Sequence, residues 1–103
     1  MQRGEIWTLS ETETVILVAS DRLHGNQFPI TYGLPLHAEP AQGLEYPFVV
    51  RLTPASTGLA ADNWVHTYAI RVIKVDWLVR RFGAVDGAST TAIDDALRAL
   101  LDL

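Results

Sequence analysis

Polar and apolar residues alternate from the start of the chain. Glu5-Ile6-Trp7-Thr8-Leu9 reads as a half-buried strand, and Ser10 to Glu13 as a short polar turn. Val15-Ile16-Leu17-Val18-Ala19 is apolar on both faces and rich in branched residues, which predicts a central, doubly covered strand. Ser20 to Asn26 breaks the pattern and allows one helical turn or a loop. Phe28 to Leu36 resumes an extended pattern that contains Pro29 and Pro35. Proline donates nothing to a ladder, so this strand is expected at an edge, bulged, or only partly paired. His37 to Gly43 is expected as a loop, Phe48 to Leu52 as a strand and Thr53 to Gly58 as another loop.

Trp64 to Ile70 reads as a strand, with Trp64, His66 and Tyr68 on one face. Val75 to Arg81 is expected as a short helix ending at Arg80-Arg81, followed by a last strand over Phe82–Val85. Ser89, Thr90 or Thr91 is the expected cap of a closing helix, with Thr91-Ala92-Ile93-Asp94 as a capping box. Ile93, Ala96, Leu97, Leu100 and Leu101 form its apolar stripe. These elements predict an α+β, mainly β fold. It is a half-open antiparallel barrel with a short internal helix and a C-terminal helix.

Composition narrows the function. The 103 residues are 49% hydrophobic and 19% charged, which fits one domain over 1–103 with a buried core. Eight Lys+Arg against twelve Asp+Glu give a net charge of -4, so a polyanion must be held by a local cation cluster. Without cysteine, disulfides, thiolate zinc sites and cysteine nucleophiles are excluded. The N-terminus lacks the long apolar run of a signal peptide, and no stretch is long enough to cross a bilayer. A soluble chain of the cytoplasm, without membrane contact, is expected.

No phosphate-binding glycine loop, nucleophile elbow or metal-ligand spacing is present, so neither cofactor nor metal is expected. The candidate chemistry rests on histidine and arginine. His66 reads either as a partly buried strand histidine or as a general acid–base group beside a stacking surface. His37 reads as a solvated loop residue or as its partner. Arg22, Arg51, Arg71, Arg80 and Arg81 are the arginines outside the termini. Arg71 follows an apolar strand, where an arginine is costly unless it is paired or reaches an anion.

Four stretches carry a family resemblance: Arg3-Gly4-Glu5-Ile6-Trp7, Val15 to Asp21, Asp62 to Val72 ending in Ala69-Ile70-Arg71-Val72, and the closing helix from Ala92 to Leu103. In this order they resemble the MazF/PemK toxins of bacterial toxin–antitoxin pairs. The resemblance implies an SH3-like barrel, a homodimer, a cognate antitoxin and metal-independent cleavage of single-stranded RNA by the RNA's own 2′-OH. The family's arginine-proline before the second strand is missing here. Its usual threonine after the third strand falls at His37, and an arginine and an aspartate of some members fall at His66 and Tyr68.

A rebuilt site would use His37 and His66 as the acid–base pair and Arg71 on the phosphate. Arg22, Arg51, Trp64 and Tyr68 would bind RNA. The alternatives are a catalytically degenerate binding module, which could titrate an antitoxin, and a protein-targeting toxin similar to the gyrase poison CcdB. The absence of a tryptophan near the C-terminus weakens the gyrase alternative.

Overall fold

The computed structural model describes residues 1–9, 13–39 and 48–103. The expected turn over 10–12 and most of the loop from His37 to Gly43 lie outside the described residues. Seven strands form one antiparallel sheet: β1 (Glu5–Thr8), β2 (Thr14–Leu17), β3 (Ile30–His37), β4 (Val49–Leu52), β5 (Asn63–His66), β6 (Arg71–Lys74) and β7 (Arg80–Ala84). Their order is β4-β5-β3-β2-β1-β7, with β6 joined to β3 beside that path. Among the described residues β4 and β7 do not pair with each other, and the sheet curls into a half-open barrel. Among the described residues three α-helices accompany it, α1 (Asp21–Gly25), α2 (Pro54–Thr57) and α3 (Gly87–Leu101), together with two 3-10 turns.

β3 organises the sheet. On one edge it pairs with β2. On the other it exchanges partners, pairing with β6 from Ile30 to Gly33 and with β5 at Leu36 and His37. Pro35 falls between those two partners, where a missing N–H leaves no ladder bond unmade. The strand is thus only partly paired on that edge, as its prolines suggest. β2 is covered on both faces as expected, with Val15, Ile16 and Leu17 all buried.

The faces of β2 and β3 feed two cores. Ile6, Ile16, Leu34, Leu52, Val65 and Ile93 fill the barrel, with Leu36 and Val50 packed against them. Val15, Leu17 and Ile73 form a smaller cluster on the opposite face, under Trp7, Leu9 and Leu78.

The opening Arg3-Gly4-Glu5-Ile6-Trp7 segment is a structural hub. The Arg3 guanidinium donates to both carboxylate oxygens of Asp94 and to the Val18 carbonyl, tying α3 to β2. Gly4 holds a φ of +89°, which favours glycine. Glu5 accepts from the Gln2 backbone N–H, the Trp7 indole and Arg81. Burial pushes its carboxyl up, but those hydrogen bonds outweigh burial and hold it below the usual value.

Several local expectations change. Ser20 caps α1, its hydroxyl accepting from the Arg22 N–H, so the helical alternative holds there. The expected loop over 53–58 contains α2, started by Pro54 and closed by Gly58 at φ +79°. The strand expected over 64–70 stops at His66. The Thr67 N–H and hydroxyl both donate to the Phe48 carbonyl, turning the chain into a 3-10 turn over Thr67–Ala69.

Val75 to Arg81 is not a helix. Only Val75–Trp77 makes a 3-10 turn, and the Val79 N–H then donates to the Thr8 carbonyl as the chain enters β7. Arg80 and Arg81 therefore sit in a strand. α3 begins at Gly87, two residues before the earliest cap expected. Asp86 caps it by accepting from the Ser89 N–H, and Asp94 serves Arg3 instead of a capping box.

Close packing at Gly33 supplies a test. A Cβ on Gly33 would lie 2.6 Å from Ile73 Cδ1. Gly33→Ala should therefore destabilise the fold by roughly 1–3 kcal/mol. Ile73→Val, which deletes that methyl, should recover part of the loss in chemical denaturation. Equal stability of Gly33→Ala and the parent protein would contradict this packing.

Candidate active site

Strand alternation places the site. Leu34 and Leu36 of β3 point into the barrel core, so Gly33, Pro35 and His37 share the opposite face. On β5, Val65 points into the core and Trp64 and His66 share that same opposite face. The register aligns Arg51 with Trp64, Trp64 with His37, and Val49 with His66. Arg71 aligns with Gly33 on β6, on the face that also carries Ile73. His37, His66, Trp64, Arg51 and Arg71 thus occupy one continuous face, although they lie on four different strands.

At its centre the His37 and His66 rings stack with centroids 4.3 Å apart and planes within 6°. Tyr68 stacks on His66 with centroids 5.6 Å apart and planes within 7°. Tyr68 comes from the 3-10 turn after β5 and not from the strand itself, yet its ring still extends the stack. His66 is 7% exposed and Tyr68 is 45% exposed, so the ladder runs from a buried imidazole to an open aromatic face.

The Nε2 atoms of both histidines are buried and, among the described residues, lack a hydrogen-bond partner. Burial lowers the His66 pKa, and repulsion from His37 lowers it further. A buried polar atom without a partner costs stability, and a catalytic role is one reason such a cost is retained. The lowered pKa favours the neutral form of the His66 ring, the form that can accept a proton.

The cations are arranged around this stack. The Arg71 guanidinium donates to the Glu13 carboxylate at the end of the first hairpin. Arg51 donates to Asp62 through two of its nitrogens. Arg22 lies on α1, which leads into Ile30 at the far end of β3 from His37, so the structure does not bring it to the stack. Arg81 pairs with Glu5, and Lys74 stands 5.7 Å over the Trp77 ring. The four cations between Arg71 and Arg81 therefore do not form one free patch. Among the described residues no group of three His, Asp or Glu side chains could hold a metal.

Glu13 was not singled out by its sequence context. The signal is alternation, since Glu13, Val15 and Leu17 fall on one face of β2 and that face is the one carrying Arg71.

The pKa direction gives a second test. Removing the His37 ring as His37→Asn takes away the repulsion that helps depress His66, so the His66 pKa should rise. Titration of its imidazole by NMR would read the shift, and a lower value would contradict the stack. Stability should follow the same sign. The parent protein loses stability as pH falls below about 6.5, because the unfolded His66 takes up a proton more readily.

Known proteins share this fold. The sequence profile of the family described as PemK-like, MazF-like toxin of type II toxin–antitoxin system matches residues 2–101. The chain is 30% identical to endoribonuclease MazF9 of Mycobacterium tuberculosis over 117 aligned positions, covering all of this chain and 98% of the relative. An endoribonuclease in complex with its cognate antitoxin, from a mycobacterial species, superposes with a TM-score of 0.83 at 19% identity. That match covers 100% of this chain and 96% of the other. The M. tuberculosis toxin MazF-mt6 gives 0.76 at 19% identity, covering 96% and 95%. With a profile match over nearly its whole length and the same half-open barrel, the chain belongs to the PemK/MazF family of toxins from type II toxin–antitoxin systems.

Proposed function

We propose that this toxin is an endoribonuclease that cleaves single-stranded RNA through the stacked histidines. The observation that carries the proposal is the pair of buried, unpartnered Nε2 atoms on two rings 4.3 Å apart. The depressed pKa of His66 suits it to be the base: a neutral imidazole takes the proton of a ribose 2′-OH. The 2′-oxygen then bonds to the adjacent phosphorus and the bond from phosphorus to the 5′-oxygen breaks. His37, stacked beside it, serves as the acid that gives a proton to that leaving oxygen. Arg71 balances the charge that develops on the non-bridging oxygens.

The remaining groups suit RNA binding. Tyr68 offers its exposed ring face to a base, and Trp64 stands beside His37 in the next strand. Arg51 continues that row toward β4 and suits the RNA backbone. Arg22, at the other end of β3, would serve only a strand of RNA long enough to reach α1.

The endoribonuclease names of the relatives support the reading, and so does the antitoxin bound to one of them. The whole chain would act as one toxin domain, neutralised by a cognate antitoxin and active in the cytoplasm as a homodimer. The dimer is supported by an apolar strip on the barrel side of the β3–β6 ribbon. Tyr32 and Val72 face each other across the strands there, and Ile70 and Val72 stay about half exposed. No helix among the described residues is long and apolar enough to cross a membrane.

His37→Ala and His66→Ala should each lose roughly 10²–10⁴-fold in single-turnover RNA cleavage while keeping the far-UV spectrum of the folded parent. Full activity in either variant would overturn the acid–base assignment.

A further inference from the structure

We infer that Arg71 is a phosphodiester subsite that Glu13 occupies in the RNA-free protein, so that the Glu13 carboxylate sets how strongly RNA binds. The inference rests on the reading of Arg71 as a phosphate ligand and adds a competitor for it.

The geometry is specific. The Arg71 side chain lies on the same face as the histidine stack, and its guanidinium is given to one carboxylate, that of Glu13. A guanidinium presents the same donor fork to a carboxylate and to a phosphate, so the two compete for one set of N–H groups. Four residues of β3 at about 3.3 Å each put the Gly33–Arg71 row roughly 13 Å from His37, a distance that a long side chain shortens.

Glu13 approaches from the hairpin end of β2. Continuing the β2–β3 register beyond Val15↔Pro35 brings residue 13 opposite His37. Its carboxylate therefore lies between the cation and the reacting site. Both partners are about 40% exposed, so the pair is accessible and cheap to open.

In this scheme the same contact keeps Arg71 from adding to nonspecific RNA binding. An anion must displace Glu13 before Arg71 contributes, and only a strand that also engages the aromatic ladder recovers that cost. Glu13 is a positioning residue in this scheme and exchanges no proton with the substrate.

The test uses the full chain and a single-stranded RNA carrying 2′-O-methyl groups, which binds but lacks the attacking hydroxyl. Glu13→Gln keeps the side-chain shape and removes the charge. It should bind this RNA roughly 2- to 5-fold more tightly than the parent, the change expected on removing a competing half-exposed ion pair. The slope of log affinity against log salt should steepen by about 0.7, one added phosphate contact on a single strand. In an Arg71→Ala background the same substitution should do nothing beyond a small general charge effect.

Unchanged or weaker binding by Glu13→Gln overturns the inference, as does an equal gain without Arg71. Lost cleavage of unmodified RNA with unchanged affinity also overturns it and makes Glu13 a reacting group. The two readings separate cleanly. If Glu13→Gln binds more tightly but no RNA is cut by any form, the endoribonuclease reading fails and the competitor stands. If cleavage depends on His37 and His66 while Glu13→Gln gains no affinity, only the competitor fails.

Discussion

The site depends on the two-residue period of β3. Leu34 must be buried, which is worth about 1.5–3 kcal/mol, and Leu36 packs partly buried against the same core. Their alternates, Gly33, Pro35 and His37, are then forced onto the other face. Val65 does the same for Trp64 and His66 on β5. A one-residue slip would turn the histidines into the core and the leucines into water, so the hydrophobic core itself enforces the stack. Gly33 lets Ile73 approach closely, and Pro35 spans the point where β3 exchanges β6 for β5. The strand thereby connects the row of Arg71 to the row of the histidines.

Electrostatics complete the arrangement. A chain with a net charge of -4 does not attract RNA through its average field. Its arginines are largely committed: Arg3 to Asp94, Arg51 to Asp62, Arg71 to Glu13 and Arg81 to Glu5. Two of these pairs are structural, clamping α3 to the N-terminal segment and β7 to β1. The other two, at Arg51 and Arg71, lie on the face of the histidine stack. RNA held on that face, as proposed, would have to exchange carboxylates for phosphates, so its binding should be local and sensitive to salt.

Much of the fold was legible because hydrophobic alternation marks core strands strongly. β1, β2, β4 and the closing helix follow directly from it, and the ordered motifs from Arg3 to the closing helix point to the family. The errors fall where particular hydrogen bonds, two of them between residues far apart in the chain, override local pattern. Thr67 turns away from its strand to meet Phe48, Val79 joins Thr8 in place of a helix, and Asp86 captures the cap from Ser89. The histidine pair was foreseeable from residue chemistry. Its stacking was not, because the register that aligns His37 with Trp64 is set across strands 27 residues apart in the chain. Glu13 escaped for the same reason, since its partner Arg71 is 58 residues away.

The central claim is that two stacked imidazoles drive attack by the RNA's own 2′-OH. The ends left on a cleaved single-stranded RNA test it most directly, read by mass spectrometry of the fragments. Attack by the 2′-oxygen leaves a 2′,3′-cyclic phosphate on one fragment and a 5′-hydroxyl on the other, and that pair of ends is the result expected. A 3′-hydroxyl with a 5′-phosphate would show that water, not the ribose, had attacked, and would contradict the account.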